Sequence, residues 1–233
     1  MARRARIVLP GTPHYILQSG WQDRHIFFDI KDSGFYQDIL LRNSASAGLQ
    51  ILAYCFMPTE IHLLGIPLHK HSLRKAIGDT NRQYTRKIRE EDKIDHNPLW
   101  AERFHSCPVE GIECAGVIQY IEWLPVITQQ VKYPHQWHYS SARARALEKN
   151  DPLITPHPLL DELDWVKVQT QRPDYPLLNK LTAHQSTGRP IGSRQFIEKL
   201  ERDLGQRLRP RKRGRRPAAK PLSPELNTVS IKT

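Results

Sequence analysis

The sequence predicts an α+β fold: a ferredoxin-like antiparallel sheet with helices on one face, then a small helical C-terminal module and a basic tail. Three observations support this. Up to Pro125 the chain reads β-α-β-β-α-β-α, with β-forming or apolar runs interleaved with helical patterns. The stretch Asn150 to Pro158 (NDPLITPHP) is rich in proline, which interrupts regular structure and marks a boundary. The formal charge of +11 over 233 residues is held in the termini. Arg3, Arg4 and Arg6 open the chain, and nine Lys/Arg face one acid, Glu225, from Arg207 onward. Between Ile7 and Gln206 acidic and basic residues balance. The expected division is a sheet domain over 1–149, a helical module over 150–206 and a tail over 207–233 too polar to form a core.

Each element has its own signal. His14 to Ser19 (HYILQS) is short and rich in β-formers, which predicts the first strand. Trp21 to Phe28 reads as a loop with an aromatic plug. Ile30 to Ala47 carries Phe35, Ile39 and Leu40 at helical spacing and stops at Gly48, a C-terminal cap. Leu49 to Phe56 (LQILAYCF) is a nearly unbroken apolar run, as a buried strand requires. Pro58 interrupts it, and Ile61 to Pro67 forms the next strand. Ser72 is an N-cap for a helix through about Arg89. Glu102 to Glu110 predicts a fourth strand, broken late by Pro108, and Ile112 to Leu124 a helix ended or kinked at Pro125. In the C-terminal module, Ser193 caps a helix bearing Phe196, Ile197, Leu200 and Leu204.

Composition narrows the class. At 39% hydrophobic residues there is material for a core, but no run long enough to span a membrane. The N-terminus lacks the apolar stretch of a signal peptide. Cys55, Cys107 and Cys114 are odd in number and show no CxxC spacing, which argues against a disulfide framework or a cysteine zinc site. The chain reads as a soluble cytoplasmic protein with no membrane partner. Its basic termini favour an acidic polymer, with nucleic acid first. The competing reading is a solvated tail with no specific partner.

Two places carry chemistry. Glu60 and His62 lie two apart on a strand and so share a face, where a carboxylate and an imidazole can bind Mg²⁺ or Mn²⁺. Read from the residues alone, a structural histidine is the competing account. Tyr120, on a helix facing the sheet, is a nucleophile if a metal stabilises the attacked phosphate, or else a packing tyrosine.

YCFMPTEIHLL (Tyr54 to Leu64) resembles the strand-turn-strand YVxMPNHxHLL of the single-tyrosine HUH transposases, in the branch of REP-associated tyrosine transposases. Further segments follow in the same order. MARRARIVLPGTPHYILQSG is similar to the opening PRxxRxxxPGxxHHVxxRG, and LWAERFHS to LWxxRFxS. QYIEWLPVITQQV resembles the nucleophile helix YIExNPVRAGxV, and Trp137 to Ser141 stand where the family has WSSY-like residues. DPLITPHPLL and TGRPIGSRQFIEKLERDLGQRLRPRKRGRRP resemble the C-terminal region of many members, so the likeness spans most of the chain.

The resemblance implies that Tyr120 attacks a phosphate of single-stranded or hairpin DNA and forms a 5′-phosphotyrosine bond. It puts His62 at the second HUH histidine. It also implies a divalent metal and, commonly, a homodimer. Glu60 replaces the first histidine, Leu124 the usual Asn one turn after the tyrosine, and Thr59 the Asn of the turn. Glu60 can still ligate through oxygen, whereas leucine cannot coordinate a metal. Two readings therefore stand: a transposase-like enzyme with an altered metal site, or a transposase-derived DNA-binding protein without strand transfer.

Candidate phosphate contacts lie elsewhere. The helix after Ser72 carries Arg74, Lys75, Arg82, Arg86, Lys87 and Arg89, partly offset by Glu90, Glu91 and Asp92. The Gly-Ser turn before the Ser193 helix offers backbone N–H groups to a phosphate, flanked by Arg189 and Arg194. The tail adds Arg209, Arg211, Lys212, Arg213, Arg215 and Arg216, which give affinity without sequence information. Trp21, Trp100 and Trp137 are candidates for base stacking.

Overall fold

The computed structural model describes residues 6–209 except positions 162, 174 and 186. β1 (His14–Ser19), α1 (Ile30–Ala47), β2 (Leu49–Phe56), β3 (Glu60–Pro67), α2 (Ser72–Glu90), β4 (His105–Pro108) and α3 (Cys114–Ile127) follow in the expected order. The sheet is antiparallel with strand order β2-β3-β1-β4, so the two central strands are flanked by β2 and β4.

Alternation along the strands divides the core in two. Ile16, Tyr54, Phe56, Ile61 and Leu63 pack with residues of α1 and α2. Tyr15, Leu17, Cys55, Leu64 and Ile66 pack with Val117, Ile118 and Ile121 of α3. The expected helical layer on one face is α1 with α2. The third helix covers the opposite face, because β2 and β3 are apolar on both sides.

Local chemistry explains most boundaries. Asp29 accepts from the Asp32 amide while Asp32 accepts in return, which caps α1 at its start. Gly48 closes α1 in the left-handed region, at φ 66°. Three expectations shift. The N-cap of α2 is His71, and Ser72 is its first helical residue, because the Ser72 hydroxyl accepts the His69 amide and closes the preceding turn. The fourth strand shrinks to His105–Pro108; at its end Val109 N–H still donates to the Pro13 carbonyl, but Pro13 has no amide to give in return and the ladder stops there. α3 runs through Pro125 to Ile127; the proline sits in the last turn, where few hydrogen bonds remain to be lost.

Beyond α3 lie α4 (Ser141–Ala146), α5 (Pro158–Asp161), α6 (Trp165–Thr170), α7 (Tyr175–Gln185) and α8 (Arg194–Leu204). The segment 139–155 covers the outer edge of β2. Phe56 N–H donates to the Tyr139 carbonyl, Tyr54 N–H to Ser141 Oγ, and Thr155 N–H to the Ile51 carbonyl. An exposed edge strand is thereby paired off. Leu153 joins the α1–α2 side of the core, and Leu160, Val168, Leu181 and Ile191 join the α3 side. Among the described residues no helix is long and apolar enough to cross a membrane.

Candidate functional site

β3 presents Glu60 and His62 on the sheet face covered by α3. Across the ladder they stand opposite Ser19 and Leu17 of β1. Ser19 Oγ donates to Glu60 Oε1 at 3.1 Å. Glu60 Oε2 lies 3.1 Å from His62 Nε2. That hydrogen bond holds the Glu60 carboxyl below its ordinary range, against the opposing effect of burial.

The imidazole of His62 is buried, and its Nδ1 lies 2.6 Å from the hydroxyl of Tyr15. A phenol hydroxyl both donates and accepts, so it satisfies either tautomer of His62. When Tyr15 donates to Nδ1, the proton on Nε2 points to Glu60. When Tyr15 accepts from Nδ1–H, the Nε2 lone pair is available to a cation.

α3 supplies the tyrosine. Tyr120 is 9% exposed, edge-on to His62 with ring centroids 6.1 Å apart and to Tyr15 with centroids 6.2 Å apart. Glu60, His62 and Tyr120 therefore gather at one place. Leu124, one turn further along α3, is buried in the same apolar cluster. Among the described residues no group of three or more His, Cys, Asp or Glu comes together as a metal site. Glu60 and His62 are a pair of donors, one oxygen and one nitrogen, that fits two positions on a single cation and leaves the rest of its shell to other ligands.

Two features of the site escaped the sequence reading. The first is Tyr15. Its contact with His62 depends on the register between β1 and β3, which no local pattern encodes. The second lies on α3 behind the tyrosine. Glu122 is fully buried and is held by Arg145 of α4, by Ser141 Oγ at 2.6 Å and by Gln169 Nε2 at 2.8 Å. Arg145 also donates to the Leu52 carbonyl of β2 and lies over the Trp165 ring, 4.3 Å from its centroid. This buried charge pair ties the tyrosine helix to the sheet and to α6. A lone glutamate in an apolar helix was the available signal.

The expected phosphate contacts meet different surroundings. The turn before α8 is occupied by a carboxylate of the chain itself: Ser193 N–H donates to Glu110 Oε2 at 2.6 Å and Ser193 Oγ to Glu110 Oε1 at 3.0 Å. Ser193 Oγ also accepts the Phe196 amide, as an N-cap should. The N–H group that was to meet a phosphate thus already has an anionic partner. Arg194 pairs with Glu198, and Arg209 with Glu198 and Glu201, so neither guanidinium is without a carboxylate. Arg189 is partly buried, its carbonyl 3.0 Å from His184 Nδ1. Arg211, Lys212, Arg213, Arg215 and Arg216 lie outside the described residues.

This arrangement of strands, tyrosine helix and carboxylate–imidazole pair can be set against known proteins. Residues 13–123, from β1 into α3, match the family model "Transposase IS200 like". The sheet domain is an IS200-like transposase domain. Among solved structures, the fold of the chain is similar to that of a REP-associated tyrosine transposase bound to a REP hairpin. Identity there is 14%, with a TM-score of 0.51 over 67% of this chain and 93% of that one. A transposase candidate from Deinococcus radiodurans shows 21% identity over 52% of this chain and 96% of that one, and its TM-score of 0.37 lends it no weight. No curated protein matches the chain. The transposase domain thus accounts for β1 to α3, and the helices after 150 stand outside the family match.

Proposed function

We propose that this chain binds single-stranded or hairpin DNA and cleaves and rejoins it through Tyr120, with Glu60 and His62 as the seat of Mg²⁺ or Mn²⁺. The supporting observation is that Tyr120, Glu60 and His62 share one face of the sheet, with the Tyr120 and His62 rings 6.1 Å apart. The hairpin bound by the structural neighbour supports DNA as the partner. Glu60 Oε2 and His62 Nε2 are 3.1 Å apart, close to the spacing of two donors at right angles around a cation with bonds of about 2.1 Å. When bound there, the cation supplies Lewis-acid polarisation of a phosphate oxygen.

In this reading Tyr120 Oη bonds to phosphorus as the P–O3′ bond breaks. The product is a 5′-phosphotyrosine, and the phenol proton ends on the freed 3′ oxygen. Rejoining is the same exchange with a 3′ hydroxyl as nucleophile. Tyr15 accepts from Nδ1–H of His62 in this reading, which leaves Nε2 to the cation. The segments 150–206 and 207–233 serve to hold DNA, and a second copy completes a homodimer, which light scattering reads directly. Incubation with hairpin-containing single-stranded DNA and Mn²⁺ should yield a covalent adduct that Tyr120→Phe abolishes. The absence of an adduct with any divalent metal, on several hairpins, sinks the reading.

A second reading has its own observation: apolar Leu124 occupies the position where the resemblance calls for a polar ligand. It holds that the chain binds DNA without strand transfer. DNA binding that weakens with salt and survives Tyr120→Phe, with an adduct only after Glu60→His combined with Leu124→Asn, selects this reading.

A further inference from the structure

On the other side of the sheet from Tyr120, α2 and the chain before β4 enclose an open groove of about 480 Å³. Arg82, Arg86 and Arg89 line it, together with Thr85, Trp100 and one acid, Glu90. The arginines follow one another at spacings of four and three residues, so they form a stripe along one helix face. All three are exposed. Arg82 pairs with Asp79 and Arg86 with Glu90, with side-chain exposures of 76% and 77% for the two arginines. Such exposed pairs hold their charges weakly and are readily exchanged. Among the described residues Arg89 has no carboxylate partner.

Trp100 lies beside this stripe, partly buried against Tyr36 and Tyr84. Its indole N–H donates to Thr85 Oγ1 at 2.8 Å, which fixes the ring in the wall of the groove. With that N–H satisfied, the part of the ring that lines the groove meets a ligand through aromatic carbon. Trp100 also bridges to Gly20, the residue after Ser19, and Ser19 is the partner of Glu60. The groove therefore opens at the end of the sheet where the Glu60 pair stands, on the opposite face.

We propose that the groove between α2 and Trp100 seats an unpaired segment of nucleic acid, with phosphates on Arg82, Arg86 and Arg89 and a base against Trp100. The charge of the stripe selects a polyanion. The aromatic wall selects an unstacked base, since a base inside a duplex does not present its face. The bridge between Gly20 and Trp100 puts this groove next to the sheet end that carries Ser19 and Glu60. The proposal rests on the DNA-binding reading and gives it a surface that the basic tail does not supply.

Fluorescence anisotropy of the full chain with a labelled oligothymidine, measured across salt concentrations, tests it. The wild-type chain should bind, and Arg82→Gln/Arg86→Gln/Arg89→Gln should lower the salt slope by about 2, at about 0.7 for each single-strand phosphate released. A probe of the same length with abasic sites should bind the wild type at least about fivefold more weakly, through loss of one stacked base. A blunt duplex should compete poorly for the part of the binding that the triple variant removes. If the wild type binds no oligonucleotide, both the DNA reading and the groove fall. If it binds and the triple variant keeps the same affinity and slope, the groove alone is overturned. Equal competition by duplex removes the unpaired-strand assignment.

Discussion

His14 should make the fold sensitive to mild acid. Its imidazole is fully buried at the start of β1. Nδ1–H donates to the Thr12 carbonyl at 2.8 Å, and Nε2 accepts from the Leu9 amide at 3.3 Å. The neutral ring has one donor and one acceptor, and both are used. Burial lowers the pKa from 6.5 to about 4, outweighing the carbonyls of Thr12 and Ile7 that favour the proton. The unfolded chain takes the proton near pH 6.5, whereas the folded chain resists it until about 4. Stability is therefore full above pH 6.5 and declines as the pH falls toward 4. At ~1.4 kcal/mol for each pH unit, the whole loss is about 3 kcal/mol, with about 2 kcal/mol gone at pH 5. Urea unfolding at pH 7.5 and pH 5, on wild type and His14→Gln, measures it. The variant should be less stable at pH 7.5 and show a flatter pH dependence. A native-state NMR titration of His14 with a midpoint near 6.5, or equal pH slopes in the two proteins, refutes the reasoning.

Other perturbations probe the site and its support. Tyr15→Phe leaves the buried Nδ1 of His62 without its partner and should cost about 1–3 kcal/mol in chemical denaturation. It should also shift the ¹⁵N signals of His62 toward a different tautomer mixture. Glu122→Ala strands Arg145 in the core and should cost about 3–5 kcal/mol, while Glu122→Gln with Arg145→Met should cost clearly less. Calorimetric unfolding of both compares them, and a loss under about 1 kcal/mol for Glu122→Ala contradicts the role of the pair. Ser193→Ala removes the cap of α8 and a bond to Glu110, so hydrogen exchange at Phe196 should quicken by about fivefold, corresponding to ~1 kcal/mol.

The elements were legible because each obeys a local rule. The apolar run Leu49–Phe56, the helical spacing with a terminal glycine in α1, and the capping serine of α8 are readable from neighbouring residues alone. The limits of β4 and α3 were not, since prolines at 108 and 125 are tolerated at the last position of a strand and in the last turn of a helix. The second helical face was missed for a related reason. A strand apolar on both sides calls for cover on both sides, but periodicity does not say which helix supplies it.

The element order, the face shared by Glu60 and His62, the terminal charge and the resemblance that singles out Tyr120 are all written in local sequence. It is packing that brings Tyr15 to His62, Arg145 to Glu122 behind the tyrosine, and Glu110 into the turn before α8. The division has a physical origin. Strand and helix periods act over a few residues and fix which way a side chain points. Contacts such as Tyr15 with His62, 47 residues apart, depend on strand register and helix packing, which the whole core selects together.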